Sequence, residues 1–193
     1  MRNNSSDTDR RRRRRRRRIQ VIVVYTAIAI GLAGFFESQA TTTVILVWHA
    51  EKAAMPADDP SLSPAGERRV AELTRQLVDA DVVAGVDAVY STPFRRTEET
   101  ARPVAKALGL TVNSYDAANT EEIMERIVKV HKGKIILVVG HSNTLPALIG
   151  NMGASKKVPE IAENEYDNIY IVSIPWFGKT KTIRLRYGEP YIP

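Results

Sequence analysis

Two histidines in this chain stand directly behind apolar runs, His49 after Val44–Trp48 and His141 after Ile135–Gly140. Neutral imidazole is a capable nucleophile, and a second imidazole can donate a proton. A third polar cluster, "STPFRRTEET" from Ser91 to Thr100, follows another short apolar run and contains Arg95 and Arg96. Arginine's planar fork of donors matches the oxygens of a phosphate. One histidine at a strand end is more often structural than catalytic. Two of them, with an arginine pair at a third strand end, point to chemistry on an anionic group. No Gly-x-Ser-x-Gly elbow is present, and the absence of cysteine excludes disulfides, thiolate nucleophiles and cysteine metal sites. A metal held by His49 and His141 would need a third ligand, for which Glu51 is the neighbour in sequence. The third histidine, His131, lies between Lys129 and Lys132 at an expected helix end, where a cation suits the dipole. It is read as structural.

These groups need a scaffold that brings three distant segments together. "TVILVW" reads as a buried strand, apolar without alternation, as parallel strands are. "LSPAGERRVAELTRQLVDA" reads as a helix capped by Ser63, with Pro64 at its first position and Val70, Leu73, Leu77 and Val78 on one face. "VDAVYS" is a second strand. "RRTEETARPVAKAL" is a helix stopped by Gly109, which Pro103 could kink or divide. "LTVNSY" is a short strand, and "NTEEIMERIVKVHK" a helix opening on Asn119 and Glu122 at capping-box spacing. "KIILVVG" is a strongly apolar strand and "TLPALIGNM" a short helix. A polar connector, 154–167, leads to "NIYIVSI" and "KTIRLRY", which could pair across the "PWFGKT" turn. Alternating strands and helices predict an α/β three-layer sandwich around a mostly parallel sheet. Ligands bind such sheets at the carboxyl ends of the strands, where "HAEK", "STPFRRTEET" and "GHSNT" all fall.

The net charge of +6 is misleading about the body of the chain. Arg2 and Arg10–Arg18 supply ten of the 28 basic residues, and from Ile19 onward 18 Lys and Arg face 20 Asp and Glu. No basic face for nucleic acid is evident there, and no nucleic-acid partner is expected. The arginine run leads at once into "IQVIVVYTAIAIGLAGFF", 18 residues without a charge. A membrane-crossing helix needs about 17–25 such residues. Flanking basic residues stay in the cytoplasm. The expected organisation is a basic cytoplasmic tail (1–18), a transmembrane anchor (19–36), a linker (37–42) and an extracytoplasmic domain (43–193), periplasmic if the source is bacterial. A cleavable signal predicts the same side, with "ESQA" ending at Ala40 as the cut and a secreted product.

The three motifs, "VILVWHAEK", "YSTPFRRTEETA" and "LVVGHSNT", stand in the order and spacing of the histidine phosphatase superfamily, also called phosphoglycerate-mutase-like. The chain resembles its small, compact members over about Thr41 to Tyr187. The resemblance implies a phosphomonoesterase that acts through a phosphohistidine on a small phosphate ester or a phosphoprotein. It implies His49 as nucleophile, Arg96 as a phosphate ligand, His141 as stabiliser of the transferring group and Arg95 as a rim residue. Lys52 and Asn143, in the same motifs, are further expected phosphate contacts. Neither metal nor cofactor is required, because His49, Arg96 and His141 would supply nucleophile and charge. Ser142 stands where some branches carry an acidic proton donor. Glu51 is the expected acid, with Asp116 and Glu121 as alternatives.

One position departs from the family. Trp48 stands where members carry a phosphate-binding arginine, and it brings bulk and one indole donor in place of charge. The implied consequence is reduced or lost activity on an intact fold, with a non-catalytic pseudophosphatase that binds a phosphorylated ligand or partner as the alternative function. Otherwise Lys52 or Arg95 replaces the charge, Trp48 stacks on a substrate ring, or the change has no selected meaning. At a strand end, Trp48 is expected to matter little to the fold.

Overall fold

The computed structural model describes residues 4–38, 41–79, 85–154 and 158–192. The chain divides into two units, Met1–Gln39 and Ala40–Pro193. The first holds one helix, α1 (Asn4–Ser38), which carries the arginine run and the apolar stretch without interruption. Its segment Arg10–Phe36 is long and apolar enough to cross a membrane.

The second unit is built from β1 (Thr42–Trp48), α2 (Pro64–Val78), β2 (Ala88–Ser91), α3 (Arg95–Ala107), β3 (Val112–Ser114), α4 (Thr120–Val130), β4 (Ile135–Gly140), α5 (Leu145–Asn151), β5 (Asn168–Ile174) and β6 (Lys181–Arg186). The six strands form one sheet in the order β3-β2-β4-β1-β5-β6. β3, β2, β4 and β1 run parallel, β5 runs against β1, and β6 runs against β5. β6 therefore points the same way as the first four strands. β5 and β6 pair as their sequence predicts, with Ile171 opposite Ile183.

Side chains alternate across β1 and split the core in two. Val44, Leu46 and Trp48 pack with Ile123 and Ile127 of α4 and Leu145, Leu148 and Ile149 of α5. Ile45 and Val47 pack with Leu73 of α2 and Val104 and Ala105 of α3. The central strands are buried on both faces, which is why they read as unbroken apolar runs. Trp48 is only 5% exposed and belongs to the first cluster. This corrects the expectation that the fold is indifferent to it: the pleat turns position 48 inward although it ends the strand.

Local signals set the helix ends. Ser63 caps α2, its hydroxyl accepting from the Gly66 N–H at 3.2 Å. Asn119 caps α4 by accepting from the Glu122 N–H at 3.2 Å. Gly109 takes a positive φ after α3, and Pro103 lies inside that helix without dividing it. On α2, Val70 and Leu73 are buried, whereas Val78, expected on the same face, is exposed near the helix end. Gly66 has a packing reason of its own: a Cβ there would run into the Glu51 carbonyl. That carbonyl also accepts from the Ser63 N–H at 2.8 Å, so α2 begins hard against the loop behind His49.

Candidate active site

His49 follows β1, and its N–H continues the ladder to the Gly140 carbonyl at 3.1 Å. The residue is 4% exposed. Nδ1 lies 2.8 Å from the Ala50 carbonyl oxygen, which can only accept, so Nδ1 carries the proton. Nε2 then keeps a lone pair, and the Arg96 Nε–H donates to it at 3.1 Å. Burial pushes the imidazole down to about 3; His141, Arg96 and Lys52 add to the effect, and the Ala50 carbonyl opposes it. His49 is therefore a neutral base of fixed tautomer at ordinary pH.

The Thr-rich turn after β2 builds the rest. Thr92, Thr97 and Thr100 are fully buried. Thr100 accepts from the Ala50 N–H at 3.0 Å and donates to the Arg96 carbonyl at 2.7 Å, tying the His49 loop to the first turn of α3. Thr97 donates to the carbonyls of Thr92 and Phe94 at 2.9 and 2.7 Å. Its one proton spent, it accepts from the Thr92 hydroxyl at 2.8 Å, and Thr92 in turn accepts from His141 Nε2–H at 2.9 Å. His141 thus holds its proton on Nε2, leaving Nδ1 as its other polar atom. Burial, then Arg96, lowers His141 to about 4. The two histidine rings are 5.5 Å apart, and Phe94 meets His141 edge-on at 5.2 Å.

A pocket of about 530 Å³ opens over these groups, lined by His49, His141, Arg96, Lys52, Ser142 and Asn143 among others. Five of the six residues expected in the site, His49, His141, Arg96, Lys52 and Asn143, are therefore together. Arg96 is held over the Phe94 ring at 4.6 Å, with Asp59 3.9 Å away. Arg95 is at the rim, paired with Glu99 at 3.4 Å.

Glu51 is the exception and a correction. Its carboxylate accepts from Arg69 at 2.8 Å, and it faces a different cleft with Arg68, Glu72 and Gly188. Arg69 also donates to the carbonyls of Tyr187 and Glu189 at 2.9 and 3.0 Å. Glu51 thus serves an arginine that clamps the C-terminal segment. Among the described residues, no three His, Asp or Glu side chains group as metal ligands. Asp116 is exposed and caps its own turn through the Ala118 N–H at 2.9 Å. Glu121 is exposed on α4 and does not line the pocket.

The carboxylate that does line the pocket is Glu163, which sequence reasoning left in the polar connector. A tight turn holds it: the Glu165 N–H bonds the Ala162 carbonyl at 3.0 Å, and Glu165 Oε2 accepts from the Ala162 N–H at 3.1 Å. Arg186 of β6 anchors that turn through Glu165 and Asp167 at 2.8 and 2.6 Å. No local pattern marks such a residue, because Arg186, which anchors its turn, is more than 20 positions away and His49, which lines the same pocket, more than 100.

Trp48 lines the same pocket with its ring stacked on Tyr166 at 4.3 Å and edge-on to His49 at 5.2 Å. Its buried indole N–H has no acceptor among the described residues. The two ring contacts are worth about 0.5–1.5 kcal/mol each. An unpaired buried donor costs about 1–3 kcal/mol, so the two effects nearly offset. His131 lies outside the site. It ends α4, and its Nε2 meets the Tyr90 hydroxyl at 2.8 Å. Burial lowers it despite the nearby Asp87, so it is neutral and not the helix-end cation expected.

A mostly parallel six-stranded sheet covered on both faces, with two histidines at its carboxyl edge, is a phosphoglycerate-mutase-like fold. The model of the histidine phosphatase superfamily, branch 1, matches residues 45–120. Among solved structures, the protein histidine phosphatase SixA complexed with tungstate is 17% identical, with 75% of this chain and 96% of that one covered at a TM-score of 0.61. The putative phosphohistidine phosphatase SixA from Nakamurella multipartitia is 22% identical, with coverages of 79% and 98% and a TM-score of 0.53. Mycobacterial glucosyl-3-phosphoglycerate phosphatase is 10% identical, with coverages of 76% and 98% and a TM-score of 0.54. No curated protein matches the sequence. At these identities the structures share the fold, and the family model matches the part of the chain that carries the His49 and Arg96 motifs.

Proposed function

We propose that the domain is a phosphomonoesterase that acts through phospho-His49. The observation that carries this reading is the buried, neutral His49 whose unprotonated Nε2 accepts from Arg96 Nε–H at 3.1 Å in a pocket shared with His141. In the first step Nε2 attacks phosphorus in line, the P–N bond forms and the ester P–O bond breaks. Arg96 turns its donors from Nε2 to the phosphoryl oxygens, and Lys52 and Asn143 supply further contacts. Phosphoryl transfer depends mainly on such positioning and on charge set against the equatorial oxygens. Glu163 takes the role first assigned to Glu51 and gives its proton to the leaving oxygen. In the second step Glu163 takes a proton from water, the water attacks phosphorus, and the P–N bond breaks to release phosphate. No step calls for a metal or cofactor. The substrate is a small phosphate ester or a phosphoprotein. Acid-labile phosphate on His49, trapped by rapid quench and lost in His49→Ala, tests this; label that survives in that variant would overturn it.

Trp48 favours a second reading. It removes one charge from the phosphate site, and a domain that binds a phosphorylated ligand without turning it over needs less charge than one that stabilises a transition state. Binding of phosphate esters with no trapped phosphohistidine would select this pseudophosphatase reading. For placement, we propose that α1 anchors the chain, its arginines cytoplasmic and its domain outside. Protease applied outside intact or outer-permeabilised cells should digest the domain and spare the tail. A mature N-terminus at Thr41 would show a cleaved signal instead.

A further inference from the structure

The C-terminal segment 187–191 does not line the His49 pocket, yet Arg69 and Asp167 bond it to the segments that carry two of the pocket's walls. No step of the proposed reaction uses it. On one side stands Arg69 of α2. Its Nε–H donates to Glu51 Oε1 at 2.8 Å, two residues after His49, while Nη1 and Nη2 donate to the Tyr187 and Glu189 carbonyls at 2.9 and 3.0 Å. The guanidinium also lies 5.6 Å from the centre of the Tyr187 ring. Three acceptors in a fixed fan suit a guanidinium fork and not an ammonium. Gly188 makes the fan possible: its φ is +66°, and a Cβ there would stand 3.0 Å from Arg69 Nη1. On the other side stands Asp167, buried just before β5. Its carbonyl accepts from the Tyr187 N–H and its carboxylate from the Tyr191 N–H, both at 2.9 Å.

The two walls are held differently. His49 continues the β1–β4 ladder, the Ala50 N–H is fixed to Thr100, and the Glu51 carbonyl takes the Ser63 N–H. The turn that carries Glu163 lies instead in the connector between α5 and β5, outside any helix or strand. It is held by the stack of Tyr166 on Trp48 and by Arg186, which donates to Asp167 at 2.6 Å and to Glu165 at 2.8 Å. The same Asp167 is where the C-terminal segment is fastened.

We propose that residues 187–191 are a strap that sets where Glu163 stands relative to His49, with Arg69 as the positioning residue that holds the strap to the His49 loop. This inference rests on the reading of Glu163 as the general acid. A proton donor must come within about 2.6–3.2 Å of the leaving oxygen. A misplacement of about 1 Å by a change far from the chemistry can cost about 10²-fold. Loosening the strap therefore slows the step in which Glu163 gives its proton and spares the attack by His49.

Two variants of the full chain test it. Arg69→Lys keeps the charge and loses the fork; Gly188→Ala keeps Arg69 and crowds it, and it carries the same comparison if Arg69→Lys does not fold. Turnover is measured on an alkyl phosphate, whose leaving group needs the proton, and on nitrophenyl phosphate, whose leaving group does not. Each variant should lower kcat on the alkyl ester by up to about 10²-fold and leave kcat on nitrophenyl phosphate nearly unchanged. Placed in a Glu163→Gln background, neither should cause a further loss on the alkyl ester, because residues that act through one group are not additive. Equal loss on both esters, a loss that adds to that of Glu163→Gln, or unchanged turnover by folded variants would each overturn the inference alone. Equal loss on both esters in Glu163→Gln itself would overturn it together with the acid assignment. No turnover of either ester by the native chain would overturn it together with the phosphatase reading.

Discussion

The two ends of β1 are built to opposite specifications. At its carboxyl end the chain turns into His49, is covered by the turn after β2 and the 162–165 turn, and buries nearly every polar group with a partner. At its amino end it meets the β5–β6 hairpin, whose turn projects beyond the end of the strand. Same strand, same sheet: the difference comes from what the connections bring. Parallel strands deliver three separate loops to one edge, and that convergence makes a concave, desolvated site. The antiparallel β5–β6 pair needs only a short turn, which protrudes. Desolvation is what makes the first end chemical, since it holds His49 and His141 neutral.

The comparison breaks most sharply at the nucleophile. His49→Ala should abolish turnover while leaving the fold intact, checked by steady-state kinetics and by circular dichroism side by side. Arg96→Ala should lower kcat/KM about 10²–10³-fold, the cost of one donor set against developing charge. Glu163→Gln should slow esters of poor leaving groups by up to about 10²-fold, at the lower end of general-acid effects. It should leave nitrophenyl phosphate nearly untouched, because that leaving group needs no proton. Equal loss on both substrates would assign Glu163 to binding only.

Trp48 sharpens the comparison because it belongs both to the pocket wall and to the core. Trp48→Arg should raise kcat/KM on small esters, by restoring charge, and should lower the melting temperature, because it breaks the stack on Tyr166 and buries a cation. Trp48→Phe keeps an aromatic ring and removes the unpaired N–H, so stability should change by less than about 1.5 kcal/mol, within the range of shape-conserving swaps. A large loss of activity in Trp48→Phe would show that the indole N–H acts on the ligand.

The smallest expected effect is on pH. In the unfolded chain histidine protonates near 6.5, whereas folded His49 and His141 stay neutral to about 3 and about 4. The unfolded state therefore binds more protons below 6.5, and stability should fall as pH drops from there toward 4. A melting temperature that falls from pH 7 to pH 5, and falls less in a His49→Ala, His141→Ala double variant, is the expected result.

Much of this was legible along the chain because it is set by local rules. Ser63, Pro64, Asn119 and Gly109 mark helix ends through short-range hydrogen bonds and φ preference, and the apolar runs mark strands buried on both faces. His49, His141 and Arg96 could be named because they sit at strand ends, and strand ends of a parallel sheet converge by topology. Side-chain direction at those ends was not legible. Glu51 is two residues from His49, yet Arg69 from α2 draws its carboxylate away; Glu163 is 114 residues from His49, yet its turn brings it to the pocket wall. Trp48 reads as a replaced ligand in sequence and as a core residue in space, because the pleat and Tyr166 decide its burial. Sequence by itself determined which residues are chemically competent and which elements carry them, since those depend on composition and periodicity. Tertiary structure alone decided which carboxylate lines the pocket, which tautomer each histidine holds and how far burial keeps them neutral, because those depend on partners distant in the chain.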